Sequence, residues 1–290
     1  MPFIDRNRIL ALPSGRLGTR NHLLAHSLHY FISRVCLHPT DIRGAMKILF
    51  LDLETSPNLA HVWGLWDQNV SIGQLIDSTE VICFGARWYG QKKVIFKSVH
   101  HDGKMAMLEA LHEIMEEADI LVGWNSAGFD HKHIRREFLE AGMLPPSPVK
   151  DVDLMRVARS QFRFPSNKLD YVSQRLGVGA KVKHSGFQLW IDCMAGNDKA
   201  WREMKKYQIQ DVDLLVDLYE KFLPWIKGHP SVALDEGRPE GCVNCGSESL
   251  QRRGVSKTLT AEYHRYQCQA CGKWQKSKTR VGAAVMSSVG

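Results

Sequence analysis

Apolar runs and their spacing predict five strands in the first half of the chain. Residues 48–51 are all apolar and are followed by the alternating stretch Asp52-Leu53-Glu54-Thr55. An unbroken apolar run of this length is typical of a strand that is buried on both faces of a sheet. Further apolar or alternating segments predict strands at 81–89, 93–99, 120–124 and 149–154, the first two joined as a hairpin at Gly90-Gln91.

Segments with the 3.6-residue apolar period of an amphipathic helix lie between and after these strands. Apolar residues recur at this spacing over 104–118, 129–141 and about 201–222. A hairpin followed by alternating helices and strands predicts an α/β fold, with a mixed five-stranded sheet flanked by helices.

Composition divides the chain into four predicted regions. Residues 1–45 hold six arginines, two aspartates and no lysine. We predict that they form a basic, disordered leader before a true start at Met46; a mitochondrial targeting segment is the alternative, since it has a similar composition. Residues 46–230 form the predicted α/β domain, 231–239 a linker and 240–290 a small C-terminal module with a basic tail.

Charge is also unevenly distributed. Residues 46–237 carry 23 basic and 26 acidic side chains, whereas residues 238–290 carry nine basic and three acidic ones. This asymmetry favours a polyanionic partner such as nucleic acid, contacted through the C-terminal module. No apolar run approaches the roughly 20 residues of a membrane-spanning helix.

Two carboxylates follow the first apolar run. Asp52 and Glu54 are two residues apart, so they project from the same side of the predicted strand. Unpaired, they would repel each other and lose hydration, and a divalent metal between them would relieve both costs. A strand that simply ends in an acidic turn is the alternative.

Further carboxylates occur later in the chain. Asp130 precedes the second predicted helix, where aspartate is also an ordinary capping residue. Tyr207 and Asp211 are four residues apart on the long helix and therefore share one face, which continues with apolar residues. A carboxylate in line with an apolar stripe is costly to bury, so it either binds a metal or pairs with a lysine or arginine.

Taken in order, these acidic segments resemble the three exonuclease motifs of the DEDD superfamily. The segments are Asp52-x-Glu54 on a strand, Asn125-x-x-x-Phe129-Asp130 before a helix, and Tyr207-x-x-x-Asp211 on a late helix. With a tyrosine in the third segment, the chain resembles the DEDDy branch of the DnaQ-like enzymes. This branch includes polymerase proofreading domains and stand-alone phage and bacterial exonucleases. The resemblance covers residues 47–225 and implies a ribonuclease H-like fold and a cytoplasmic location in a bacterial or phage-infected cell.

The resemblance also implies hydrolysis with two Mg²⁺ or Mn²⁺ ions in each active site. In this interpretation Asp52 bridges both ions, and Glu54 and Asp211 bind the ion that carries the nucleophile. Asp130 completes the second ion site, and Tyr207 orients the attacking water.

Substrate contacts are predicted from the same segments and from two loops. Thr55 and Asn125 are implied contacts of the terminal nucleotide. Trp63 and Trp66 could stack on unpaired bases, although packing on the sheet is the favoured interpretation because most tryptophan is buried. The basic loop 181–184 could contact phosphates or simply be solvated.

Four cysteines near the C-terminus have metal-ligand spacing. Cys242 and Cys245 form one Cys-x-x-Cys pair, and Cys268 and Cys271 form another. Two such pairs at this separation predict a tetrahedral Zn²⁺ site in a zinc ribbon, and a redox dithiol is the weaker alternative because one pair would suffice for it. The ribbon either contacts nucleic acid or docks on a protein.

These observations together predict a metal-dependent 3′–5′ exonuclease that acts on single-stranded nucleic acid, with DNA preferred over RNA. A DNA polymerase or a repair complex is a candidate partner. The alternatives are a structure-specific endonuclease on the same fold and a nucleic-acid-binding adaptor with secondary or no nuclease activity.

Overall fold

A mixed sheet lies at the centre of residues 46–286, the part of the chain that this computed structural model describes. The strands are β1 (Ile48–Thr55), β2 (Leu59–Ala60), β3 (Leu75–Asp77), β4 (Val81–Trp88), β5 (Ile95–Ser98), β6 (Ile120–Gly123), β7 (Lys150–Asp153), β8 (Leu250–Lys257), β9 (Ala261–Cys268) and β10 (Trp274–Ala283). The helices are α1 (Lys104–Glu117), α2 (Asp130–Glu140), α3 (Leu154–Gln161), α4 (Leu169–Arg175), α5 (Phe187–Met194), α6 (Asp198–Phe222) and α7 (Val232–Asp235).

The central sheet has the order β5-β4-β1-β6-β7. β1 pairs antiparallel with β4 and parallel with β6, and β7 continues the parallel half. The predicted mixed five-stranded sheet is therefore confirmed.

Helices cover both faces of this sheet, which explains the unbroken apolar run of β1. Phe50 packs with Val212 and Leu215 of α6 on one face. Leu49 and the helices α1 and α2 form the core on the other face, so that successive residues of β1 are buried on opposite sides.

The segment 231–239, predicted as a linker, is instead partly helical. Ser231 caps α7 by accepting a hydrogen bond from the backbone N–H of Leu234, and Ala233 is fully buried. The backbone N–H of Val232 donates to the carbonyl of Val243 at 3.0 Å, which ties α7 to the first cysteine pair. The glycine and proline near the end of this segment indicated a loop. A helix of only four residues shows no apolar period, and neither its capping serine nor its tertiary contacts add one.

The C-terminal module is a three-stranded antiparallel sheet in the order β10-β9-β8. The buried side-chain amide of Asn244 donates to the carbonyls of Leu223 and Ile226 at 2.5 and 3.2 Å, and Lys273 Nζ donates to the Ile226 carbonyl at 2.6 Å. These bonds satisfy carbonyls just beyond the C-terminal end of α6 and fix the module there.

The described residues cover only part of the chain to which two predictions apply. The predicted leader, residues 1–45, falls outside the described residues. Across residues 46–286, no helix combines the length and the hydropathy that a membrane crossing requires.

Candidate active site

Three of the predicted carboxylates converge beside the central sheet. Ligand oxygens of Asp52, Glu54 and Asp211 lie within 4.8 Å of one another. Asp52 and Glu54 project together from the end of β1, and Asp211 is contributed by α6, which crosses that face of the sheet. The i, i+2 spacing on the strand therefore places two acids where the helix brings the third.

A glycine allows α6 to approach the sheet this closely. Gly85 on β4 lies directly opposite Asp52 in the register. A Cβ at Gly85 would come within 2.8 Å of Gln208 Cγ and 3.0 Å of Val212 Cγ2, both on α6. These separations are too short for unstrained carbon contacts, so a larger residue at position 85 must shift Gln208 and Val212 or the helix that carries them.

We expect Gly85→Ala to destabilise the fold by about 2 kcal/mol and to lower cleavage activity at least tenfold, because α6 carries Asp211. Thermal unfolding and cleavage rate measure the two effects. Gly73→Ala is the matched control, since a Cβ there meets no atom within 4 Å. Equal behaviour of the two variants would show that α6 does not depend on close approach at Gly85.

Neighbouring polar side chains orient the acids. Gln208 Nε2 donates to Asp52 Oδ2 at 2.9 Å, and a side-chain hydrogen bond from Trp190 on α5 favours the ionised form of Glu54. Sequence reasoning missed both residues. Gln208 could have been found, because it lies three residues before Asp211 and therefore on the same polar interruption of the apolar face.

Lys181 also belongs to this cluster. Its ammonium Nζ contacts Asp211 Oδ2, lies 2.8 Å from the Tyr207 hydroxyl and sits 4.8 Å from the centre of the Tyr207 ring. The predicted alternatives for loop 181–184 were phosphate contact or a solvated loop. The structure instead places Lys181 against a buried carboxylate, whereas Lys183 is exposed.

The fourth acid, Asp130, is buried at the N-terminus of α2. It is not part of the trio that lies within 4.8 Å. Burial, followed by the charge of Asp52, raises its pKa well above the ordinary value, while hydrogen bonding from the backbone N–H of Leu53 lowers it. Asp130 is therefore close enough to Asp52 for the two charges to interact, although it lies outside the trio.

Burial and mutual repulsion disfavour ionisation of these carboxylates. Desolvation, then the charge of Asp211, raises the pKa of Asp52 to about 7, against a lowering effect of Lys181. Desolvation, then the charge of Asp52, raises the pKa of Glu54 to about 8. The pKa of Asp211 is raised by burial, although Lys181 lowers it. Such a cluster attracts cations strongly.

These shifts predict a pH-dependent stability when no divalent cation is added. A folded-state pKa raised above the unfolded value means a stability contribution that is complete below about pH 4 and is lost as pH rises through 7 to 8. We therefore expect the Tm to fall by roughly 5 °C between pH 5 and pH 8.5. Glu54→Gln, which removes one of the titrating groups, should show a shallower slope in the same scan. A parent Tm that rises over this interval would contradict the assigned shifts.

A family model of the RNase_H superfamily, RNase_H_2, matches residues 73–223, which is more than half of the chain. The chain belongs to the RNase H superfamily. Membership supports nuclease activity in general. The matched range includes Asp130, Tyr207 and Asp211, whereas Asp52 and Glu54 precede it.

One solved structure similar to this RNase H superfamily member is the family B DNA polymerase from the hyperthermophilic archaeon Pyrobaculum calidifontis. The sequence identity is 15% and the TM-score is 0.49, with 77% of this chain and 33% of the polymerase chain covered. The chain thus spans about a third of the polymerase's length. No curated protein matches the chain.

The acidic residues of this superfamily member fit a divalent cation. Carboxylate oxygens are the ligands that Mg²⁺ and Mn²⁺ prefer. Asp130 Oδ1 and Asp211 Oδ1 are buried and have no hydrogen-bond partner among the described residues, although such atoms are costly to leave unsatisfied. Orphaned anionic oxygens next to converging carboxylates are what a cation-binding site requires.

The two predicted nucleotide contacts, Thr55 and Asn125, lie close in the sequence to Glu54 and Asp130, respectively. Thr55 is the last residue of β1, where the pairing with β4 shifts register. Asn125 adopts a left-handed backbone conformation, with φ of 65°, and its backbone N–H donates to Asp153 Oδ1 at 3.0 Å. Its side chain lies so close to Gly128 that a Cβ there would be 2.6 Å from Asn125 Oδ1. Whether either residue contacts substrate stays a prediction.

The favoured interpretation of the two early tryptophans was wrong. Trp63 and Trp66 do not pack on the sheet, since they are 97% and 84% exposed. They lie between the short strands β2 and β3, in a loop that also exposes Leu65. Average burial of tryptophan does not apply here because the two rings lie in a loop between two short strands, outside the buried core.

The four C-terminal cysteines form one cluster. Their sulfurs lie within 4.8 Å of one another, with Cys242 Sγ 3.6 Å from Cys271 Sγ and Cys245 Sγ 3.7 Å from Cys268 Sγ. Burial raises the pKa of Cys268, but hydrogen bonds from the backbone N–H groups of Cys271 and Ala270 bring it down to about 7. A set of four sulfurs, one of them readily ionised, fits a zinc ion.

Proposed function

We propose that this protein is a metal-dependent 3′–5′ exonuclease that hydrolyses phosphodiester bonds at the 3′ end of single-stranded nucleic acid, with DNA preferred over RNA. The observation that carries the proposal is the convergence of Asp52, Glu54 and Asp211 within 4.8 Å, with the Tyr207 hydroxyl beside Asp211. Membership of the RNase H superfamily supports the reaction class.

In this proposal Asp52, Glu54 and Asp211 would hold one divalent cation, and Asp130 with Asp52 would hold a second. Such cations, when bound, would supply positive charge at the scissile phosphate and the leaving 3′ oxygen and would lower the pKa of the attacking water. The protein itself orients the carboxylates. The hydrogen bond of 2.9 Å from Gln208 fixes Asp52 Oδ2 and leaves Oδ1 available as a ligand.

Tyr207 and Lys181 supply the remaining polar groups. Burial, then the charges of Glu54 and Asp211, raises the pKa of the Tyr207 hydroxyl far above its ordinary value, so that it stays protonated and acts as a hydrogen-bond donor. A neutral donor beside the carboxylates can orient a water without transferring its own proton. Lys181 places a positive charge next to Asp211, where an anionic phosphate must approach.

Tyr207→Phe is expected to lower kcat by about 10- to 100-fold while leaving cation binding nearly unchanged, because it removes only the donor. Single-turnover cleavage and titration calorimetry with Mn²⁺ measure these two quantities. Tyr219→Phe is the matched control: it removes another buried hydroxyl from the same helix, one that bonds His229 Nε2 at 2.7 Å. Equal rates for both variants would remove Tyr207 from the reaction.

Polarity and sugar preference are tested by a cleavage time course with Mg²⁺ or Mn²⁺ on 5′-labelled single strands, DNA and RNA in parallel. The proposal predicts a ladder that shortens one nucleotide at a time from the 3′ end, faster for DNA. Discrete internal cuts would replace the exonuclease with an endonuclease. Stable binding without cleavage would favour an adaptor.

The cysteine cluster is proposed to hold one structural Zn²⁺. The four sulfurs supply a complete tetrahedral set, which leaves no open position for chemistry. We further propose that the enzyme acts in the cytoplasm, alone or with a DNA polymerase or repair complex.

A further inference from the structure

One face of the C-terminal sheet collects basic and aromatic side chains. Residues that are directly paired across antiparallel strands project from the same face. Lys276 pairs with Arg265, and Arg280 pairs with Tyr263. We call this surface the Arg265 face and define it by Tyr263, Arg265, Trp274, Lys276 and Arg280.

Cations on this face lie over aromatic rings. The Arg265 guanidinium is 5.1 Å from the centre of the Trp274 ring, and Lys276 Nζ is 4.3 Å from the centre of the Tyr263 ring. Trp274 is nevertheless 46% exposed. Each pair therefore places a charge beside an aromatic ring, and the Trp274 ring is accessible to solvent.

Positive charge on the Arg265 face is not neutralised. Residues 250–286 contain a single acid, Glu262. Glu262 projects from the opposite face, since it pairs in register with Lys257 and forms an ion pair with it at 2.9 Å. Among the described residues, the basic side chains of the Arg265 face form no ion pair with a carboxylate. The two faces of one small sheet thus differ sharply in electrostatic character.

Part of the opposite face packs inside the module, although Arg252 and Lys257 on the edge strand β8 are exposed. Gln275, next to Trp274 in the chain but on the other face, bonds the backbone of Val243 and Gly241 at 3.0 and 3.2 Å. These bonds hold the cysteine-bearing loop against the sheet. The Arg265 face therefore points away from the cysteine-bearing loop.

We propose that the Arg265 face binds single-stranded nucleic acid, with its arginines and lysine on the phosphates and Trp274 and Tyr263 stacked on bases. An uncompensated row of cations fits a polyanion, and the exposed ring of Trp274 with the half-buried ring of Tyr263 fits unpaired bases, whose flat surfaces are hidden in a duplex. The inference deepens the proposed function and rests on it for the choice of substrate: the face holds the same strand whose 3′ end enters the carboxylate site.

The test compares two variants that each remove two positive charges from the sheet. Arg265→Ala with Lys276→Ala changes the Arg265 face, and Arg252→Ala with Lys257→Ala changes the opposite face. Fluorescence anisotropy of a labelled single strand of about 24 nucleotides is measured on the zinc-loaded full chain without added Mg²⁺ or Mn²⁺. We expect the first variant to bind about tenfold more weakly, with the slope of log K against log salt reduced by about 1.4. The second should lose less than about twofold.

Stacking is tested separately at Trp274. Trp274→Ala should weaken binding about fivefold or more, whereas Trp274→Phe, which keeps a ring, should retain most of the affinity. If alanine and phenylalanine have the same effect, stacking is excluded. If both double variants bind like the parent, the Arg265 face is not the binding surface. A duplex that binds more tightly than a single strand of equal length, and loses that affinity in the first variant, would overturn the single-strand assignment.

Cleavage separates this inference from the proposed function. With a dinucleotide substrate, which occupies only the carboxylate site, the first double variant should cleave like the parent, while KM for the long strand rises about tenfold. If the parent protein cleaves no substrate but the first double variant binds the strand more weakly than the parent, the proposed nuclease activity is rejected and the Arg265 face is retained as a binding surface. If the parent cleaves normally and the first double variant binds the strand as well as the parent, the binding surface is rejected and the nuclease activity is retained.

Discussion

Asp211→Asn is expected to abolish cleavage, with a rate at least about 10³-fold below the parent, while the protein stays folded. The substitution keeps the size of the side chain but replaces a carboxylate of the proposed cation site, one of the trio, by a neutral amide. Since burial raises the pKa of Asp211 even though Lys181 lowers it, the ionised form is disfavoured in the folded state. A neutral isostere should therefore leave the Tm at pH 8 unchanged or higher.

Asp217→Asn is the matched control for this experiment. Asp217 lies six residues further along α6 and is exposed, so it carries the same chemistry on the same helix away from the trio. Titration calorimetry with Mn²⁺ and a single-turnover assay would be run on both variants. Cation binding and cleavage should be lost only at position 211. An Asp211→Asn protein that cleaves as fast as its Asp217→Asn counterpart would show that the carboxylate trio is not the reaction centre.

Cys268→Ser should release the proposed zinc ion and unfold the C-terminal sheet. Structural zinc sites in small modules contribute on the order of 10 kcal/mol to folding, and the sheet β8–β10 has a small core of its own. We expect less than about 0.1 zinc per chain and loss of hydrogen-exchange protection over residues 250–283. Metal analysis and exchange mass spectrometry measure these two results.

The control and a secondary effect come from contacts described above. Cys193→Ser changes a buried cysteine on α5, outside the cluster, and should keep its zinc. In Cys268→Ser the carbonyls of Leu223 and Ile226 lose their partners Asn244 and Lys273, so the C-terminal turn of α6 should also exchange faster. Full zinc content and full protection in Cys268→Ser would contradict a four-sulfur site.

The central sheet and the acidic positions could be predicted because their signals are local. Five apolar segments are enough to predict the strands, and i, i+2 spacing on β1 predicts that Asp52 and Glu54 share one side. Gln208, Trp190 and Lys181 could not be assigned in the same way. Gln208 bonds Asp52 across 156 positions of sequence, and such a contact leaves no periodic pattern near either residue.

In the C-terminal region, too, the contacts between elements could not be predicted from the sequence. All basic residues after position 250 look alike in the sequence, yet the structure separates them by role. Lys273 bonds the end of α6, Lys257 pairs with Glu262, and Arg265 covers Trp274. Strand register, which a single sequence does not specify, decides which of these side chains are available to a partner.

The single helix α6 has a further consequence for how the protein would meet a shortening strand. Asp211 lies midway along it, and the C-terminal module is fixed just beyond its end, about 18 Å further along the helix axis. Because one helix joins the two, their separation is fixed. If the module holds the strand as proposed, strands long enough to reach both the module and the carboxylate site would be degraded processively, and the enzyme would become distributive once the remaining strand no longer reaches the module.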